Sequence, residues 1–175
     1  MFAEWTKRGD MGIFTLRLDG KAKPEPFHVT RFNERHPVFS PDGNRIAFTS
    51  NRSGRDEIYV KRYPAEGGLL AVSTDGGQRP LWASHSGEIL YREGDKMMTA
   101  SVKTEPNLRA GRPRILFEGL SLLSRGGDTS ERDYDLTPDG QRFLMVKRGE
   151  ESLPTQINVV LNWAEELEQK VPTDD

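Results

Sequence analysis

Apolar residues in this chain fall in short runs, each closed by glycine, proline, aspartate, asparagine or serine. The clearest series begins at His36-Pro37-Val38-Phe39, turns at Ser40-Pro41-Asp42-Gly43 and continues into Ile46-Ala47-Phe48. A polar stretch, Asn51 to Asp56, leads to Ile58-Tyr59-Val60, and after Pro64 to Gly68 comes Leu69-Leu70-Ala71-Val72. Runs this short, rich in Ile, Val, Phe and Tyr, predict strands rather than helices. Ser-Pro-Asp-Gly suits a type I turn: Ser at the first position, Pro presetting φ at the second, Gly closing the fourth. The series therefore predicts four strands joined into one small antiparallel sheet.

The series repeats. Phe39, Ile46 and Phe48 have the same mutual spacing as Trp82, Ile89 and Tyr91, and again as Leu136, Phe143 and Met145. The enclosed turns are Ser40 to Gly43, Ser84-His85-Ser86-Gly87 and Thr137-Pro138-Asp139-Gly140. Pro37 recurs as Pro80, and Tyr134 stands there in the last copy. Gly9, Ile13 and Phe14 align without gaps to Gly54, Ile58 and Tyr59, so the chain opens partway through a unit. Copies of a four-stranded sheet at this spacing predict an all-β fold of stacked propeller blades, each copy burying faces that one alone leaves wet. The expected units are 1–34 (partial), 35–78, 79–131 and 132–163, with a helical tail at 164–175, all within one incomplete propeller domain of three to four blades. Phe39, Phe48, Tyr59, Trp82, Tyr91 and Phe143 are expected to pack between blades.

The run from His36 to Tyr63 resembles the WD40-like repeat of TolB-type β-propellers, carried by Pro37, Phe39-Ser40-Pro41-Asp42-Gly43, Ile46, Phe48 and Ile58-Tyr59. The resemblance extends over nearly the whole chain, with Met97 to Val102 as a degenerate third strand. Asn158 to Trp163, followed by an acidic stretch, is similar to the ending of large bacterial proteins of this group, many with an N-terminal Ser/Thr kinase domain. Such a likeness implies a non-catalytic scaffold whose blade-connecting loops bind a protein or peptide partner. It also implies two alternatives: the sensor domain of a kinase, or the gate of a prolyl-oligopeptidase-like peptidase. Family propellers have more blades than this, so either sequence outside the chain completes the ring, the simpler expectation, or a second copy or chain closes it through the open sheet edge. The resemblance is compatible with an exported or membrane-tethered parent protein.

Composition narrows the chemistry. The 175 residues carry a net charge of −2, which gives no field to recruit nucleic acid. Cysteine is absent, and with it disulfides, thiolate nucleophiles and Cys-based zinc sites. The N-terminal residues lack the apolar stretch of a signal peptide, and no run is long enough to span a bilayer. No Gly-x-Ser-x-Gly elbow occurs, nor a glycine-rich phosphate loop, His-Arg-Asp or Asp-Phe-Gly. No catalytic, cofactor or metal residue is therefore expected. His28, His36 and His85 are read as structural.

Glu131, Asp133 and Asp135 alternate along one expected strand; a charged, exposed face is a simpler reading than a cation site. Arg109, Arg112 and Arg114, with Lys103 upstream, read as a solvated connecting loop. Leu120, Leu122 and Leu123 lie in a long insertion expected to fold back over the core. Trp163, Leu167 and Val171 form a stripe at helical spacing, expected to dock on the last blade.

Overall fold

Among the described residues the apolar runs become strands, and the strands gather into four antiparallel sheets in chain order. The computed structural model describes residues 1–7, 9–18, 23–64, 67–83, 87–103, 107–119 and 133–145. The first sheet has β1 (Phe2–Trp5), β2 (Met11–Thr15) and β3 (Glu25–His28). The second has β4 (Glu34–Phe39), β5 (Arg45–Ser50), β6 (Glu57–Arg62) and β7 (Leu70–Ala71). In the third, β8 (Gln78–Trp82), β9 (Glu88–Glu93) and β10 (Lys96–Lys103) are edged by β11 (Arg109–Ala110) and β12 (Arg114–Phe117), both paired with β10. The fourth is the hairpin of β13 (Tyr134–Leu136) and β14 (Phe143–Met145). Among the described residues there is no helix; the expected helical tail lies outside them.

The turns follow from their residues. Gly43 N–H donates to Ser40 C=O at 2.8 Å with φ of +70°, and Gly140 N–H to Thr137 C=O at 2.8 Å with φ of +72°. In both, the hydroxyl of the first residue donates to the aspartate at 2.5 Å and accepts the amide five residues on at 3.0 Å. The Ser40 hydroxyl and the Asn44 amide hold the Asp42 carboxyl down to about 2. Asp42 and Asp139 are thus turn residues.

The second and third sheets each have a rear face toward the preceding sheet and a front face toward the next. Ile46, Phe48 and Tyr59 on the rear of the second sheet pack against Ile13 of the first. Ala47, Ile58, Val60 and Val72 on its front meet Trp82, Ile89, Tyr91 and Met98 on the rear of the third. Leu81, Leu90 and Met97 on the third sheet's front meet Tyr134, Leu136, Phe143 and Met145. Bulky rear positions therefore meet smaller aliphatic front positions at successive interfaces. Phe48, Tyr59, Trp82 and Tyr91 are buried between sheets, and Phe143 is half-buried. Phe39 departs from expectation: it stays 36% exposed, at the end of its strand against Tyr63 at 5.0 Å. The Trp82 ring at the matching position is buried because the second sheet's front face covers it.

Candidate partner-binding surface

Antiparallel chain direction puts the second-to-third-strand loops and the sheet-to-sheet connections at one end of the stack. Short polar side chains pin these loops to one another. Asn33 Oδ1 accepts Met11 N–H at 3.0 Å, and Asn51 Oδ1 accepts Asn33 N–H at 2.9 Å. Thr30 Oγ1 accepts Phe32 N–H at 3.0 Å and donates to Glu34 at 2.8 Å. Over these fixed loops stand exposed groups of the kind that anchor interfaces. Trp5, opposite Met11 in the ladder, is 61% exposed. Arg31 lies over the Phe32 ring at 5.1 Å and Arg52 over Tyr59 at 5.6 Å. Among the described residues neither guanidinium is in a salt bridge, while Arg52 acts at longer range on the buried Glu34 and His28.

Beneath the loops lies a layer of buried charge. Glu34 is fully buried, with His28 Nε2 3.8 Å from its carboxylate. Burial pushes the Glu34 carboxyl up, against the opposing pull of hydrogen bonds from Thr30 and Ser50. Burial first, and then Lys61 and Arg52, holds the His28 imidazole down at about 4. The histidine is therefore neutral at pH 7.

Further polar links tie neighbouring sheets. Arg35 of β4 donates to both Asp56 oxygens at 2.6 Å, and Gln78 of β8 donates to the same carboxylate at 2.6 Å. Thr49 Oγ1 accepts Arg79 N–H at 3.1 Å, with His36 Nδ1 at 3.3 Å from the same hydroxyl. Arg92 pairs with Asp133 at 2.5 Å, and the Tyr134 hydroxyl donates to Arg79 C=O. His36 and Arg79 occupy equivalent repeat positions, each before a proline, and both adopt left-handed backbone, φ +51° and +55°. Residues before proline favour extended backbone, so the conformation that interrupts both first strands was not legible in sequence.

The His28 ring is half-buried beside Glu34, and the His36 ring is set against Thr49; His85 lies outside the described residues. Two readings need correction. Asp133 is no exposed charge but a nearly buried partner of Arg92. Glu131 falls outside the described residues, and Asp135 is exposed. Arg109 and Arg114 sit in β11 and β12 rather than in a loop, because β10 offers an edge ladder to pair with. Their side chains, with Arg112, are nevertheless exposed, and Arg114 pairs with Glu88 at 3.0 Å. The Leu120, Leu122 and Leu123 insertion and the Trp163, Leu167, Val171 stripe lie outside the described residues. Among the described residues no cluster of three or more acidic or histidine side chains could hold a metal. No helix there is long and apolar enough to cross a membrane.

Sheets of this size, stacked rear to front with matching turns, have counterparts among solved structures. A TolB structure from Agrobacterium tumefaciens superposes with a TM-score of 0.57 at 17% identity, over 80% of this chain and 53% of that one. The fold is a TolB-type β-propeller. TolB from Acinetobacter baumannii superposes equally well, TM-score 0.57 at 18% identity, over 85% of this chain and 35% of that one. The TolB-type propeller here thus spans about half of the first structure and about a third of the second. No protein-family model matches the chain, and no curated protein matches it.

Proposed function

We propose that this TolB-type propeller is a non-catalytic scaffold that holds a protein or peptide partner on the loop surface above its first two sheets. The observation that carries this reading is the exposure of Trp5 at the end of β1 and of Arg31 and Arg52 on the loops that Asn33 and Asn51 link to it through Met11. Stacked, exposed guanidiniums outside any salt bridge among the described residues suit acidic groups on the partner, and Trp5 suits an apolar side chain beside them. Pinned loops keep the entropy lost on binding small. A peptide array probed with the purified chain tests this. Captured peptides are expected to be acidic with an apolar residue, and an Arg31→Ala/Arg52→Ala variant to lose most of the signal. Equal capture by that variant, or capture of basic peptides, overturns the assignment.

A further inference from the structure

A cleft of about 340 Å³ opens where the outer strands of the second and third sheets, β7 and β11, approach each other. Strand direction puts it at the end of the stack opposite the loops that carry Arg31 and Arg52. Its apolar side is Leu69, Leu70 and Leu108. Leu70, opposite Val60 in the ladder, and Leu108, just ahead of β11, rest on the buried cluster of Val60 and Trp82.

The other side of the cleft is a cation and open backbone. Ile58 and Val60 are buried on the front face of β6, and Arg62, two residues on, keeps that face but is exposed. Arg45, its partner in the ladder, is paired with Asp42 at 2.8 Å, whereas the Arg62 guanidinium is in no salt bridge among the described residues. The Arg62 stem runs along Gly67, where an added Cβ would lie 3.8 Å from its Cβ and Cδ. Over Gly68 an added Cβ would meet nothing within 4 Å. Neither glycine is in a backbone hydrogen bond among the described residues.

We infer that this cleft holds the C-terminal residue of a peptide ending in an aliphatic side chain. The terminal carboxylate meets the Arg62 guanidinium through paired N–H donors, and the side chain covers Leu70 and Leu108. The preceding peptide group lies against Gly67 and Gly68, where the missing side chains let backbone approach backbone. A free fatty acid is the poorer occupant, because its chain would cover those peptide groups without satisfying them. The site does not depend on acidic-peptide capture by Arg31 and Arg52.

Fluorescence polarisation of a dye-labelled peptide ending in Gly-Gly-Leu with a free carboxylate, titrated with the purified chain, tests the inference. Saturable binding is expected, and about tenfold to a hundredfold weaker binding when the same peptide ends in an amide. Arg62→Gln, at an exposed position, is expected to leave the circular dichroism unchanged and to bind acid and amide alike. Gly68→Glu, in open space, is expected to repel the free-acid peptide. Arg31→Ala/Arg52→Ala is expected to bind it as the wild type does, so the two surfaces can fail separately. Absence of saturable binding, an Arg62→Gln chain that still prefers the acid, loss of binding in Arg31→Ala/Arg52→Ala, or displacement of the peptide by an equal concentration of octanoate overturns the assignment.

Discussion

Removing the Asp56 carboxylate severs the described side-chain tie that reaches the first strands of two neighbouring sheets at once. It binds Arg35 of β4 and Gln78 of β8, each at 2.6 Å, while its own carbonyl accepts Gly77 N–H at 2.9 Å. The Arg35 and Asp56 side chains retain 22% and 18% of their exposure. The pair therefore lies between exposed ion pairs, worth about 0.2–1 kcal/mol, and buried ones, whose disruption costs about 3–5 kcal/mol. A coupling of about 1–1.5 kcal/mol for Arg35 with Asp56 is the consistent value. The lost Gln78 hydrogen bond adds about 1 kcal/mol, so Asp56→Ala is expected to destabilise by roughly 2–3 kcal/mol. The assay is urea unfolding followed by the fluorescence of buried Trp82, applied to Arg35→Ala, Asp56→Ala and the double variant. Asp56→Asn, which can still accept from Gln78, is expected to lose only part of the stability. Sodium chloride is expected to weaken the coupling only modestly, since the pair is largely shielded. Single effects that simply add, within about 0.3 kcal/mol, would refute the reasoning, because distant and independent sites behave in that way.

Two further outcomes follow from the layer beneath the loops. The imidazole of His28 titrates near 4 in the fold against 6.5 when unfolded, so the unfolded chain takes up the proton first. Stability from His28 is therefore complete above its unfolded value and lost as pH falls from there toward 4. After discounting for solvent reaching the ring, the loss between pH 7 and 5 is about 1 kcal/mol. Glu34, with a raised carboxyl, contributes in the opposite sense, gaining stability as it protonates on acidification. The difference between the wild-type and His28→Gln unfolding curves across pH isolates the histidine, and identical slopes would contradict the assignment. At Gly77, an added Cβ would lie 2.8 Å from both Ile58 and Ser73. Gly77→Ala is thus expected to cost about 1–3 kcal/mol in thermal unfolding, while Gly68→Ala, whose Cβ meets nothing within 4 Å, changes little.

Repeat spacing makes the sheets legible in the sequence itself. The frames built on Phe39, Trp82 and Leu136 rest on local turn chemistry and period-two burial, both visible in a single sequence. What stayed hidden depends on side chains far apart in the chain. Nothing near Asp56 announces that Arg35 and Gln78 converge on it, and Asp133 reads as surface until Arg92 reaches it across 41 positions. Phe39 shows the limit of the frame itself. Its position matches Trp82, yet burial depends on what the preceding sheet lays over that spot, and over Phe39 the cover is incomplete. Trp5 carries no signal in the sequence, because the Asn33 loop near it in space is linked to it through Met11 rather than through neighbouring positions in the chain.

The bulky rear and smaller front of each sheet give the stack a direction, like bricks moulded with a stud on one side and a socket on the other. A unit can follow any other unit in this orientation, but it cannot be turned around. Duplication or loss of a whole unit therefore leaves every remaining joint intact. A shift of one residue within a strand would instead send its studs to the socket side and break two joints at once.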